Sequence, residues 1–188
     1  HLNHTAEHVL DPTILLSPAD YRKLIGEEGA EKYTNKITAF ILDRSEDKLA
    51  ALEKVSKVLA MDYNFAATET EDRLAPLEKR IAPSVADWLK AMYYADFIFT
   101  DSFHGCVFSI LFNKPFVLYV NRNRGVARFD SLLKLFKIEN RTLSDSNELE
   151  SCRIRQSIDW KPINAKLEEM RSKSMRFLEN ALTAKDEQ

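Results

Sequence analysis

"FIFTDSFHGCVFSILFNKPFVLYV", Phe97 to Val120, is the stretch whose reading decides the fold. The short run "FIFT" ends in a polar turn, "DSFHG" (Asp101–Gly105), and a continuous apolar run to Phe112 follows before "FVLYV" (Phe116–Val120). Neither short run alternates polar with apolar residues, so each reads as a strand buried on both faces. The segment between them, "GCVFSILF" (Gly105–Phe112), reads as a buried helix. Strand, turn, helix and strand in that order make a parallel crossover unit.

The same alternation repeats on either side. "ITAFIL" (Ile37–Leu42) is a strand, and Leu49, Leu52, Val55 and Leu59 then line one face of a helix. "NFAAT" (Asn64–Thr68) is a second strand and "RIA" (Arg80–Ala82) a short third. Ser84, with Asp87 three residues on, caps a helix whose buried face carries Val85, Trp88, Leu89 and Met92. Downstream, Phe129, Leu132, Leu133 and Phe136 repeat at helical spacing, and a closing helix from Pro162 to Ala184 turns Ile163, Leu167, Met170, Leu178 and Ala181 inward.

The fold class is therefore α/β: a doubly wound, Rossmann-like parallel sheet with helices on both faces, of expected strand order 3-2-1-4-5. Residues 1–33 break the pattern, with Pro12, Pro18, a short helix from Pro18 and glycines at 26 and 29. They form a connector and short helix ahead of a domain spanning 34–188.

Composition narrows the function classes. The chain has 188 residues, 45% hydrophobic and 30% charged, with a formal net charge of −2. That balance gives no electrostatic case for nucleic acid. No apolar stretch reaches the roughly 20 residues of a transmembrane segment, and no signal-peptide pattern opens the sequence. Two cysteines, Cys106 and Cys152, are too few for a disulfide scaffold, so a cytoplasmic setting is expected. His1, His4 and His8 fall near helical spacing but read as part of a frayed terminus, and no metal is expected. Cys106 reads as a small apolar filler, Trp88, Tyr93 and Tyr94 as packing residues, and "TETEDR" (Thr68–Arg73) as a solvated loop.

In a doubly wound sheet a ligand sits beyond the carboxyl ends of the strands, where the strand order reverses. Here that crevice lies between the strand ending at Leu42, followed by "DRSE", and the strand ending at Thr100, followed by "DSFHG". Both loops open helices, whose first-turn N–H groups favour anions. Ser102 adds a hydroxyl, Gly105 would permit close approach to the backbone, and His104 can move a proton or pair with an anion near neutral pH. Arg122, Arg124 and Arg128 in "NRNRGVARF" (Asn121–Phe129) follow the next strand on the same edge and could fork onto phosphate or carboxylate. Arg44 is a weaker candidate on the opposite lip. From spacing alone, Asp101 and Ser102 acting as simple helix caps, with His104 bonded inside the turn, fits equally well.

The residues Pro83 to Arg141 resemble the polysaccharide pyruvyl transferase family: the Asp101–Gly105 turn after a buried strand, "FNKPF" (Phe112–Phe116), and an arginine-phenylalanine pair leading to "SLL" (Arg128–Leu133) occur in that order. "VLDPTILLS" (Val9–Ser17) is similar to the segment leading into the family's second half. The resemblance implies one Rossmann-like half of a GT-B-type enzyme with its active site in the cleft between two halves. It implies transfer of the enolpyruvyl group of phosphoenolpyruvate to hydroxyls of a cell-surface glycan, or of its sugar or lipid-linked precursor, at the inner face of the membrane, with no cofactor beyond the donor. His104 then matches the motif histidine, as general acid or phosphate ligand. Ser102 would hold an anionic group, and Arg128, assisted by Arg122 or Arg124, would neutralise the donor. These residues correspond to the family's C-terminal half, and the chain is expected to be inactive without the N-terminal half. Two other readings remain: half of a nucleotide-sugar-dependent GT-B glycosyltransferase, and a non-catalytic anion-binding module.

Overall fold

The computed structural model describes residues 7–68, 74–120, 126–150 and 152–183. The chain divides into two compact units: Pro18–Ile158, and a second made of the segment before Pro18 with the segment after Ile158.

The first unit is built on five parallel strands: β1 (Lys36–Phe40), β2 (Asp62–Phe65), β3 (Phe97–Thr100), β4 (Phe116–Tyr119) and β5 (Thr142–Leu143). Helices α1 (Pro18–Arg22), α2 (Glu46–Leu59), α3 (Leu77–Arg80), α4 (Val85–Tyr94), α5 (Phe103–Leu111) and α6 (Val126–Phe136) precede or connect them. The order across the sheet is β2-β1-β3-β4-β5. Register places Ile37 beside Tyr63 on one side and Phe97 on the other, with Ile98 beside Phe116 and Leu118 beside Thr142.

Side chains alternate along a strand, so each strand serves both faces. Ile37, Ala39, Phe99, Val117 and Tyr119 pack with Ala51, Leu52 and Val55 of α2 on one face. On the other, the Thr38 hydroxyl donates to the Ala91 carbonyl of α4 at 3.1 Å, and Phe40 meets Trp88 edge-on with ring centres 5.2 Å apart. Helices thus cover both faces, and the absence of polar alternation in "FIFT" and "FVLY" is explained: every residue of β3 and β4 is buried.

The expected order counted "RIA" as a strand, and this is corrected. Arg80 ends α3, and Ile81 is 60% exposed, with no strand paired to it among the described residues. The remaining four strands keep the expected sequence of neighbours, and β5 adds to the far edge. Its two residues are too short to leave a hydrophobic pattern. The reversal in strand order still falls between β1 and β3, because the connection from β2 to β3, which carries α4, passes β1.

Two helix faces of this unit also differ from the periodic pattern. Val85 is 73% exposed while Leu89 and Met92 are buried, because Val85 lies in the first turn, at the rim. Lys48 and Ala51 take the buried positions in α2 that the pattern gave in part to Leu49. The α6 positions Phe129, Leu132, Leu133 and Phe136 are all buried as expected.

In the second unit, α7 (Trp160–Thr183) carries the connector along its surface. Asp11 caps a turn at Pro12–Ile14, the Leu10 N–H donates to the Ser174 hydroxyl at 3.0 Å, and Arg171 donates to the Ile14 carbonyl at 2.8 Å. Ile163, Leu167 and Met170 are buried, whereas Leu178 and Ala181 are exposed. Beyond Ser174 the described residues of α7 are exposed.

Candidate functional site

The loops after β1 and β3 are locked together by one carboxylate. Asp101, the residue after β3, has no solvent exposure. It accepts from the Leu42 N–H at 2.7 Å, from the Asp43 N–H at 3.2 Å and from the Lys48 ammonium at 2.6 Å. Lys48, itself buried, also donates to the Asp43 carbonyl at 2.7 Å. A buried charge survives only when paired and hydrogen-bonded, and here both partners are. The two lips of the switch-point crevice are therefore one connected polar unit.

Thr100 provides the second tie. Its hydroxyl donates to the Phe40 carbonyl at 2.7 Å and accepts from the Ser102 N–H at 3.0 Å. Ser102 is the N-cap of α5; its side chain accepts from the Gly105 N–H at 3.4 Å, and it is 5% exposed. A serine that accepts one bond keeps a proton to donate. A Cβ on Gly105 would lie 2.2 Å from the Thr100 Oγ1 and 2.9 Å from its Cβ. The need for glycine is thus explained by the close seating of α5 on β3, where the sequence suggested room for a ligand.

The first turn of α5 also gathers aromatic and basic groups. Phe103 places its ring 5.7 Å from the His104 ring and 5.8 Å from Phe129 of α6. The Arg128 guanidinium lies over the same Phe103 ring at 5.0 Å. His104 and Arg128 are both exposed on this rim. Two residues 24 positions apart therefore stand against one phenylalanine, held by the packing of α6 on α5. A guanidinium over an aromatic face keeps its hydrogen-bonding fork directed sideways for an anion.

Arg44 goes elsewhere. Its guanidinium sits 3.9 Å from the centre of the Phe65 ring and donates to the Thr68 carbonyl at 2.9 Å, on the β2 side of β1 and away from β3. The structure does not bring it to His104. Arg122 and Arg124 lie outside the described residues, as do His1 and His4 and most of "TETEDR". Cys106 is fully buried and burial pushes its thiol far up, in keeping with an apolar filler.

Sequence reasoning missed three participants. Asp101 looked like a cap, but its carboxylate faces the neighbouring loop. Lys48 was hidden in a charged run, although a buried position in a helix that follows a strand was a signal. Phe103 received no role from the sequence, and its ring stands against both charged candidates.

A family model described as Polysaccharide pyruvyl transferase matches residues 1–123. The match takes in the Asp101–Gly105 turn and stops short of Arg124 and Arg128. No curated protein and no solved structure matches the chain.

Proposed function

The chain belongs to the polysaccharide pyruvyl transferase family, and from that premise we propose that its β3–α5 rim binds phosphoenolpyruvate and helps transfer the enolpyruvyl group to sugar hydroxyls. The observation that supports this most is the convergence of His104 and Arg128 on the Phe103 ring beside the N-terminus of α5. Phosphoenolpyruvate carries a phosphate and a carboxylate, and a guanidinium fork, a helix start and a serine hydroxyl are the groups that suit them.

The reaction needs a proton delivered to the methylene carbon of the donor, which makes a cationic centre at the carbon bearing the phosphate oxygen. A sugar hydroxyl adds there and loses its proton; inorganic phosphate leaves with the C–O bonding pair, and a second hydroxyl adds at the same carbon and loses its proton to close the ketal. His104 is the proton donor or the phosphate partner in this reading. Arg128 neutralises charge on the leaving phosphate, an effect that is strongest when water is excluded. In the GT-B-type arrangement implied by the resemblance, the family's N-terminal half would close the cleft over this rim and contribute to acceptor choice. The setting in this reading is the cytoplasm, at the inner face of the membrane. Among the described residues no helix is long and apolar enough to cross a membrane.

A thermal-shift titration with phosphoenolpyruvate at low ionic strength tests the proposal. Saturable stabilisation is expected, about 2.7 kcal/mol at 100 times the dissociation constant, a rise of a few degrees. His104→Ala and Arg128→Ala should each weaken it while leaving the unliganded melting point unchanged. No saturable shift in the wild-type chain would remove the donor site from this rim.

A further inference from the structure

Asp101 stands one residue before Ser102, the N-cap of α5, yet its carboxylate does not serve that helix. It turns across the crevice to the Leu42 and Asp43 N–H groups and to the Lys48 ammonium, 2.6 Å away. The first turn of α5 carries no acidic side chain, and neither does that of α6, where Arg128 stands. By contrast α2 opens with Glu46 and Asp47, and α4 has Asp87 in its first turn. Those acids answer the positive ends of their helices from within the chain.

This arrangement gives Lys48 a task beyond packing. An anion brought to Ser102 and Arg128 approaches a carboxylate on the residue next to Ser102. Two N–H donors favour the ionised form of that carboxylate. Buried charges are screened far less than exposed ones, so an unpaired Asp101 would repel the incoming anion. The Lys48 and Asp101 side chains are 7% and 0% exposed, so the compensation takes place inside the protein, out of reach of solvent counterions.

We propose that Lys48 is a positioning residue of the donor site. Acting through Asp101, it holds the turn that carries Ser102 and keeps the start of α5 electrostatically open to an anion. This step rests on the reading above, which puts the donor's anionic groups beside Ser102.

Calorimetry on the full chain at low ionic strength, with phosphoenolpyruvate and separately with inorganic phosphate, tests the proposal. Circular dichroism checks that each variant is folded at the temperature used. Lys48→Met, which leaves the carboxylate without its cation, should weaken both ligands by about fivefold. Asp101→Asn, which keeps the shape and leaves the ammonium, should tighten both by about threefold. The double variant should return to within about twofold of wild type, and Lys48→Arg should bind as wild type does. A pair with a purely structural role would weaken binding in both single variants, so the opposite signs separate the two roles. Binding that falls in Asp101→Asn as in Lys48→Met, or that changes in neither, overturns the proposal. If Lys48→Met does not fold, the sign of the Asp101→Asn change decides. Wild-type binding of phosphate without phosphoenolpyruvate removes the transfer reading, while the phosphate series still decides on Lys48. Binding of neither ligand overturns both.

Discussion

The Lys48 ammonium and the Asp101 carboxylate stand 2.6 Å apart with side-chain exposures of 7% and 0%, joining the first turn of α2 to the loop after β3. Because Asp101 also takes the Leu42 and Asp43 N–H groups, one carboxylate holds three donors on the far side of the crevice. Asp101→Ala would leave a buried ammonium and two backbone donors without that acceptor. Urea unfolding should show a loss of about 3–5 kcal/mol. Adding Lys48→Met to it should cost less than the two single changes summed, with a coupling of about 0.5–3 kcal/mol in the double-mutant cycle. Full additivity would mean that the pair does not hold the crevice.

Gly105→Ala should destabilise the fold by about 1–3 kcal/mol, because the new methyl carbon meets Thr100 atoms well inside contact distance. Thr100→Ala removes the nearest of those atoms, so the double variant should recover part of the loss in chemical denaturation. A Gly105→Ala protein as stable as wild type would argue against close seating of α5 on β3.

Phe103→Leu removes the ring that supports Arg128 while keeping an apolar side chain against Phe129. Phosphoenolpyruvate should then bind several-fold more weakly, by about 0.5–1 kcal/mol for the lost cation–aromatic contact, in a protein that still folds. Calorimetry compares it with Arg128→Lys, which keeps the charge but loses the fork and should not restore wild-type affinity.

Asp47 reports on acid stability. Its carboxylate accepts from the Tyr119 hydroxyl and from the Ser146 N–H at 3.0 Å. Those bonds, Tyr119 first, hold its pKa below the ordinary 3.8. A depressed carboxylate gives stability that is complete above the unfolded value and is lost as pH falls through the folded one. Asp47→Asn should therefore cost about 1 kcal/mol at pH 7. The gap to wild type should close as pH drops below roughly 4. A gap that stays constant into that acid range would show that the ionised form gives no advantage.

Thiol labelling provides a check on the core. Cys106 has no exposure, Cys152 has 5%, and burial raises the Cys152 thiol to about 11. Neither should react with a thiol reagent in the native protein at pH 8, and both should react in denaturant. Rapid native labelling of Cys106 would place a reactive thiol one turn into α5.

Much of this fold is written in local pattern. Unbroken apolar runs at Ile37, Phe97 and Phe116, separated by helical periods, can only be strands covered on both faces, because an exposed face would need polar alternation. Ser84 reads as a helix cap, and Ser102 reads as one in one of its two readings; each accepts a first-turn N–H. The loop that carries His104 was legible for the same reason: the carboxyl end of a buried strand before a helix is where the chain exposes polar groups to a crevice. What local pattern lacked was range. "RIA" had strand-like residues but no partner, since pairing is decided by neighbours distant in sequence, and β5 was too short to show a period. That Arg128 joins His104 depends on the packing of α6 against Phe103, and that Arg44 turns to Phe65 depends on β2 flanking β1. The sequence by itself determined an α/β chain with a polar turn after its central strand. Only the tertiary structure decided which charges meet there, because a side chain's partner is set by the closure of the chain in space and not by its spacing along it.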